Sequence, residues 1–232
     1  MILSPDEWQI VRLSLRVSGV AVGLTLPVAF GLAYLLARGK FPGKILIDAL
    51  VHLPLVLPPV VTGWLLLIGF GLRGPIGSRL HDWLGLTLIF RWTGAALAAG
   101  IMALPLMVRA IRLSIEAVDR RLEGAARTLG ASGWRVFWTI TVPLALPGIL
   151  AGVVLGFARS IGEFGATITF VSNIPGETET LPIAIYAALQ VPGSDGAVTR
   201  LALISVLLSL GALVISELLS RRAGAGRGGH VL

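Results

Sequence analysis

The sequence predicts an all-α membrane protein with about five transmembrane helices, or six at most, and two observations lead to this prediction. Hydrophobic residues make up 55% of the 232-residue chain and charged residues only 13%, whereas about 25% of the residues of a soluble domain are charged. Five apolar segments are long enough to cross a hydrocarbon core of about 30 Å, which requires about 20 helical residues. Too little polar surface remains to cover a water-soluble globule, so soluble enzymes are excluded as a class.

The predicted spans follow one another along the chain, and an apolar continuation of the third reaches residue 115. They cover residues 15–37, 45–70, 93–108, 143–161 and 201–219. A sixth apolar segment, 181–191, has 11 residues, which is too short to cross a bilayer. We expect it to form a short helix that lies at the membrane surface or dips into the membrane.

Proline residues make the second span unusual. Pro54, Pro58 and Pro59 lie in the sequence HLPLVLPPVVTGW, and such a cluster would break a helix of a soluble protein. Inside a bundle, neighbouring helices can satisfy the freed carbonyls. Two interpretations stay open: a kinked packing helix, or unwound backbone that lines a pathway.

The basic residues orient the chain. They concentrate in three stretches that alternate with the spans, 38–44, 109–135 and 221–227, whereas residues 162–199 contain no Lys or Arg. Cytoplasmic loops carry an excess of Lys and Arg, so the three stretches are predicted to be cytoplasmic. The N-terminus then lies outside and the C-terminus inside, with residues 221–232 as a basic cytoplasmic tail.

Motifs for bond chemistry are absent from the sequence. The chain has no cysteine and only three histidines, which are scattered, and no G-x-x-x-x-G-K-[ST] phosphate loop occurs. We therefore expect no catalytic residue, no metal site, no cofactor bound by this chain and no nucleic-acid partner. An energised function would need an energy source on another protein.

The stretch 120–143 is unusually polar in its first half for a loop of so apolar a protein. Its sequence indicates two short helices joined at a glycine, Gly130, followed by aromatic side chains at Trp134, Phe137 and Trp138. An apolar face presented to the cytoplasm predicts a docking segment for a partner protein. The alternative is an amphipathic helix that lies on the lipid surface.

This stretch resembles the E-A-A-x-x-x-G-x₉-I-x-L-P signature of binding-protein-dependent ABC importer permeases. The similar residues are E-G-A-A-R-T-L-G over 123–130 and I-T-V-P over 140–143. Gly124 occupies the position of the family's Glu, with Glu123 one residue early, and Val142 replaces Leu. In that family the signature forms coupling helices that dock onto the ATPase subunit. The resemblance therefore implies coupling roles for Glu123, Gly124, Ala125, Ala126, Gly130, Trp134 and Pro143.

The resemblance extends over nearly the whole chain. The segments SPDEWQIVRLSLRV, DALVHLPLVLPPVVTG and FARSIGEFGATITFVSNIPGETETLP are similar to molybdate permeases, with sulfate permeases as close relatives. This implies a type I ABC importer permease fold over residues 9–220, with 120–143 as its coupling segment, and import of molybdate, with sulfate or tungstate as alternatives. The implied partners are a second copy of the chain, a dimer of ABC ATPase subunits that holds ATP and Mg, an external oxyanion-binding protein and the lipid bilayer of the inner membrane.

Arg159 and Glu163 lie four residues apart at the end of the fourth predicted span. Residues at this spacing meet on one helix face, and ionisable groups at membrane depth pair or face a cavity. One interpretation is an ion pair that locks a helix end or a subunit contact. The other is that Arg159 gives positive potential to an anion pathway while Glu163 restrains it. Neutral donors for a tetrahedral oxyanion would then come from Ser160, Thr167, Thr169 and Ser172.

Two other classes of function explain the sequence less well. A secondary transporter driven by an ion gradient predicts carboxylates in mid-span, yet Asp48 and Glu217 lie near span ends and only Glu163 is ambiguous. A purely structural membrane scaffold does not account for the partner-seeking stretch 120–143.

Overall fold

The computed structural model describes residues 3–225, and every regular element in this range is a helix. The elements in chain order are α1 (Pro5–Arg38), α2 (Lys44–Val56), α3 (Pro59–Phe70), α4 (Gly77–Leu84), α5 (Trp92–Glu116), α6 (Arg120–Thr128), α7 (Gly133–Val136), a π-helix (Phe137–Thr141), α8 (Val142–Ile161), α9 (Gly165–Val171), α10 (Leu181–Leu189) and α11 (Asp195–Ala225). Within the described residues, four helices are long and apolar enough to cross a membrane, or five if the bent pair α2–α3 forms one span. The prediction of an all-α protein with about five spans is confirmed.

Helix α1 begins ten residues before the predicted span, which starts at residue 15. Its first turn carries a capping box: the Glu7 amide donates to Ser4 Oγ at 3.2 Å, and the Ser4 amide donates to Glu7 Oε2 at 2.8 Å. Pro5 follows the cap at a position where its missing N–H is harmless. At 1.5 Å per residue, the 34 residues of α1 extend about 50 Å, so the helix projects beyond the hydrocarbon core.

The second predicted span is two helices whose axes differ in direction by 115°. Leu57 leaves the helical conformation with φ −69° and ψ 141°, because the ring of a following proline disfavours helical geometry in the preceding residue. Pro58 is extended as well, and α3 restarts at Pro59. Pro54 lies inside α2 without breaking it. The kinked-helix interpretation is therefore wrong, and the break is confined to two residues.

The fourth span starts earlier than residue 143, because α7, the π-helix and α8 form one continuous helix over Gly133–Ile161. The second of the two predicted cytoplasmic helices is thus the first part of a spanning helix. In the π-helix the amide of Val142 donates to the carbonyl of Phe137, five residues back. This widened turn directly precedes Pro143, whose ring would clash with a carbonyl four residues earlier in a regular α-helix.

Helix α5 lies at the centre of the bundle and packs against α1, α2, α8 and α9. Its buried face is rich in small residues, including Ala95, Ala99 and Ala103, which allow helices to approach closely in a membrane. On α8, a Cβ atom at Gly156 would lie 2.6 Å from the sulfur of Met107 on α5. Glycine at this position therefore lets α8 pass close to the Met107 side chain of α5.

The segment predicted to be a short helix is α10, with nine residues. It packs against α11 and the beginning of α1, where Leu181 and Ala184 join Val11 and Leu201 in a buried cluster. The last span, α11, starts at Asp195, six residues before its predicted beginning. The predicted basic tail, 221–232, reaches beyond the described residues.

Candidate functional site

The stretch 120–143 is built as a helix, a glycine turn and the start of a second helix. Asp119 caps α6 by accepting a hydrogen bond from the Arg121 amide at 2.8 Å. The turn that follows depends on Gly130, whose φ of +85° lies in the left-handed region that glycine adopts without strain. Ser132 then caps α7 by accepting from the Arg135 amide at 3.3 Å.

Glu123 makes two side-chain hydrogen bonds within the chain. Its Oε1 atom accepts hydrogen bonds from Nη2 of Arg38 and from Oγ1 of Thr141, both at 2.8 Å. Gly124, by contrast, has open space where a Cβ atom would be. The position at which the family signature carries Glu is therefore a bare surface position here, and the neighbouring Glu123 makes contacts within the chain.

Aromatic and aliphatic side chains form an exposed apolar face beside this turn. Leu129, Trp134 and Trp138 are exposed by 89%, 72% and 52%. Phe137 anchors the face, since its ring stacks on Trp134 at 5.7 Å between centroids and meets the ring of Tyr34 on α1 edge-on at 5.3 Å. Ala125 is exposed as well, whereas Ala126 is partly covered and Pro143 is exposed at the start of α8. The apolar face expected from the sequence is present.

A second candidate region forms where two helix breaks meet. Helices α3 and α9 each begin just after a break and pack closely against each other. A Cβ atom at Gly165 would lie 2.7 Å from Cβ of Pro59, and one at Gly63 would lie 2.5 Å from the carbonyl oxygen of Ala166. Only glycine at both positions permits this contact.

Arg159 and Glu163 form the ion pair that their spacing predicts, with 2.6 Å between Nη1 and Oε2. The other carboxylate oxygen of Glu163 accepts from the Ala166 amide at 2.8 Å, so Glu163 also caps the first turn of α9. The glutamate side chain is only 2% exposed, whereas 26% of the arginine side chain remains exposed. The pair therefore fixes the α8–α9 break and leaves part of the arginine side chain accessible.

The predicted hydroxyl donors differ in their surroundings. Ser160 donates to the carbonyl of Ala99 on α5 at 3.5 Å, and Thr169 donates to the carbonyl of Gly165 in its own helix at 2.8 Å. Thr167 is buried, and Ser172 is exposed after the end of α9. The hydroxyls of Ser160 and Thr169 therefore bond to nearby backbone carbonyls, as the polar groups of short side chains commonly do.

Two polar residues of this region escaped the sequence analysis. Thr178 donates to the Ser172 carbonyl and accepts from the Ile174 amide, each at 2.8 Å, and so holds Ser172 at its φ of 60°. Thr62, in the first turn of α3, is buried, and among the described residues its hydroxyl has no hydrogen-bond partner. A threonine one turn after a proline break was the available signal for Thr62.

Comparison with known proteins places the chain in a family. Residues 26–224 match the family described as binding-protein-dependent transport system inner membrane component. The chain belongs to this family. Family members from other organisms are similar over nearly their whole length: the molybdenum transport system permease protein ModB of Escherichia coli (strain K12) is 61% identical over 98% of this chain and 100% of that protein. ModB of Haemophilus influenzae is 57% identical over 93% and 94% of the two chains.

Solved structures of the same architecture agree with the fold. The inward-facing MetNI methionine ABC transporter matches with a TM-score of 0.74 at 16% identity, over 96% of this chain and 99% of that chain. A bacterial ABC transporter involved in the import of the acidic polysaccharide alginate matches with a TM-score of 0.72 at 18% identity, over 95% and 80%. The predicted type I ABC importer permease fold is therefore confirmed.

Proposed function

We propose that the chain is the membrane permease subunit of an ATP-driven importer of molybdate. The observation that carries this proposal is the 61% identity to the E. coli molybdenum permease over 229 residues. That similarity includes the break regions and the stretch 120–143, so it covers every part of the chain to which a transport role is assigned here.

ATP hydrolysis belongs to a separate dimer of ATPase subunits, which would hold the ATP and Mg. The sequence has no phosphate loop of its own, and the exposed apolar face formed by Leu129, Trp134 and Trp138 offers a surface for docking. Exposed aromatic residues at the centre of an apolar patch are typical of protein interfaces. Glu123, Gly124, Ala125 and Ala126 would support this face from α6, and Gly130 from the turn that follows.

The anion pathway is assigned to the region where the α2–α3 and α8–α9 breaks meet. Interrupted helices at membrane depth are typical of substrate sites in transporters, because freed backbone groups can face the cargo. Arg159, whose side chain is partly exposed, supplies a positive charge, and its pair with Glu163 keeps that charge from binding a dianion too tightly. Weak binding is required, since a tightly held ion would not leave.

A second copy of the chain would complete the pathway. The pair at the α8–α9 break leaves 26% of the Arg159 side chain exposed, and a charged group at this depth is stable only beside a cavity or a partner. A facing copy would enclose that cavity between the two break regions. The orientation proposed is N-terminus outside and C-terminus in the cytoplasm, with an oxyanion-binding protein delivering molybdate from outside.

Sulfate is the second candidate substrate, because Sulfate permease 2 of the Chlamydomonas reinhardtii chloroplast is 37% identical over 95% of this chain and 59% of that protein. Molybdate and sulfate share charge and shape, so selection would reside in the binding protein. Exchanging that protein for a sulfate-specific one that docks should allow sulfate uptake. A secondary transporter is disfavoured, because Glu163 is paired with Arg159 and is not a free proton or cation site.

Complementation tests the proposed function in cells. The chain is expressed in E. coli that lacks its own molybdenum permease, and cellular molybdenum is measured by mass spectrometry at low external molybdate. We expect accumulation to return, and to be lost when the ATPase subunit is also deleted. Unrestored accumulation by a chain that reaches the membrane and binds the ATPase would contradict the proposal.

A further inference from the structure

The carboxylate of Glu123 joins three parts of the chain that are distant in sequence. One oxygen atom accepts both from Arg38, the last residue of α1, and from Thr141, the last residue of the π-helix. Arg38 also donates to the carbonyl of Val118, at 3.4 Å, in the connection between α5 and α6. Helix α6 is therefore fastened to the end of one span and to the beginning of another through a single side chain.

Burial gives these bonds more strength than an exposed pair would have. The side chains of Arg38 and Glu123 are only 13% and 12% exposed, and Thr141 is buried. Hydrogen bonds between charged partners are about twice as strong as neutral ones, and surface pairs contribute little because water and salt screen them. Removing either charge would also leave its partner buried without compensation.

We propose that Glu123 is a positioning residue that transmits movement of the coupling helix α6 to α1 and to the π-helix, rather than a contact to the ATPase. This inference rests on the proposed function, because it assumes that an ATPase moves α6. Both bonds use the Oε1 atom, and the Glu123 side chain is only 12% exposed, so little of the carboxylate is accessible to another protein. The π-helix is a suitable receiver, since such turns are rare and occur at functional sites within helices.

The chain offers a matched control in the pair Arg112–Glu116. Its Nε–Oε1 distance is also 2.8 Å, but both residues belong to α5 and the glutamate side chain is 40% exposed. A Glu116→Gln variant removes the same charge without disconnecting two elements. Any effect that is common to Glu116→Gln and Glu123→Gln would therefore reflect the loss of charge alone.

The experiment is a double-mutant cycle on the reconstituted importer with the variants Glu123→Gln, Arg38→Gln, the double variant and Glu116→Gln. The readouts are the stimulation of ATP hydrolysis by loaded binding protein and the amount of ATPase that copurifies. We expect each single variant at the link to reduce stimulation about fivefold, and the double variant to be no worse, because residues of one network are not additive. Copurification and the Glu116→Gln variant should match the wild type.

Three results would overturn the proposal: an Arg38→Gln variant with normal stimulation, losses of stimulation that add in the double variant, or weaker ATPase copurification with Glu123→Gln. Each result would mean that Glu123 acts other than through its bonds to Arg38 and Thr141. Rescue offers a second check: Glu123→Asp keeps the charge and should retain more stimulation than Glu123→Gln. Failure of the proposed function looks different. A wild-type complex whose ATP hydrolysis is stimulated but which imports no molybdate would contradict the substrate assignment, and the cycle would still test the link.

Discussion

Replacement of Gly63 by alanine should destabilise the contact between α3 and α9. A Cβ atom there would lie 2.5 Å from the carbonyl oxygen of Ala166 and 2.8 Å from Cβ of Thr169, whereas non-bonded atoms prefer about 3.5–4.0 Å. The nearest clashing atom is backbone, so α9 has to move as a unit. Overpacking of this kind costs about 1–3 kcal/mol, which exceeds the gain of about 1 kcal/mol that alanine brings to a helix over glycine.

The same helix contains its own control. Gly69 lies in α3 as well, and no atom lies within 4 Å of a Cβ atom built there. Gly69→Ala should therefore raise the free energy of unfolding by up to about 1 kcal/mol, from helix propensity alone. Since overpacking at Gly63 costs about 1–3 kcal/mol, the two alanine variants should differ in unfolding free energy by about 2 kcal/mol.

The assay is reversible unfolding of the purified permease in mixed micelles, followed by ATP-driven uptake measured in proteoliposomes. We expect Gly63→Ala to unfold at a lower denaturant fraction than the wild type and to transport poorly, because the α3–α9 contact adjoins the Arg159–Glu163 pair. Gly69→Ala should unfold at a higher fraction and transport normally. Equal stability of the two variants would refute the close contact on which the break region depends.

Three further predictions concern coupling, topology and the pathway. Gly130→Asp should leave the protein in the membrane but uncouple ATP hydrolysis from uptake, because aspartate is strained in the left-handed backbone conformation of residue 130 and adds bulk beside the docking face. Normal uptake per ATP would refute this. Asn173 and Ser132 are both exposed. A cysteine at Asn173 should react with an impermeant thiol reagent only from outside, and a cysteine at Ser132 only from the cytoplasm. The opposite pattern would overturn the orientation. Arg159→Gln should destabilise the fold by leaving Glu163 unpaired. The double variant Arg159→Gln, Glu163→Gln should fold again but take up molybdate about tenfold more slowly or worse, which corresponds to an activation free energy higher by about 1.4 kcal/mol. Full uptake by the double variant would leave the pair with a structural role only.

Local patterns in the sequence predicted local structure well. The spans follow from long apolar runs, and the Arg159–Glu163 pair follows from a spacing of four residues within one helix. The turn at Gly130 was equally accessible, because a glycine between two helical stretches marks a left-handed residue. Each of these features is decided by residues that are neighbours along the chain.

Features of the structure that depend on residues distant in sequence, or on competing local effects, could not be predicted from the sequence. The partner of Glu123 is Arg38, 85 residues earlier, and no spacing rule connects the two. The prolines of the second span allowed both a kink and a break. Pro54 is tolerated within α2, whereas Pro58 and Pro59 end one helix and begin another, although the same local rule for proline applies to all three. The hydroxyl of Ser160 faces α5, which only the helix crossing determines.

Uptake into proteoliposomes measures whether this chain passes molybdate when a separate ATPase hydrolyses ATP. The permease is reconstituted with its ATPase and loaded binding protein, and labelled molybdate is measured with ATP, with a non-hydrolysable ATP analogue, and with ATP plus ionophores that abolish ion gradients. We expect ATP-driven transport: accumulation should need hydrolysable ATP and the binding protein, and should persist with the ionophores. Accumulation that is abolished by the ionophores, or that proceeds without ATP, would contradict it.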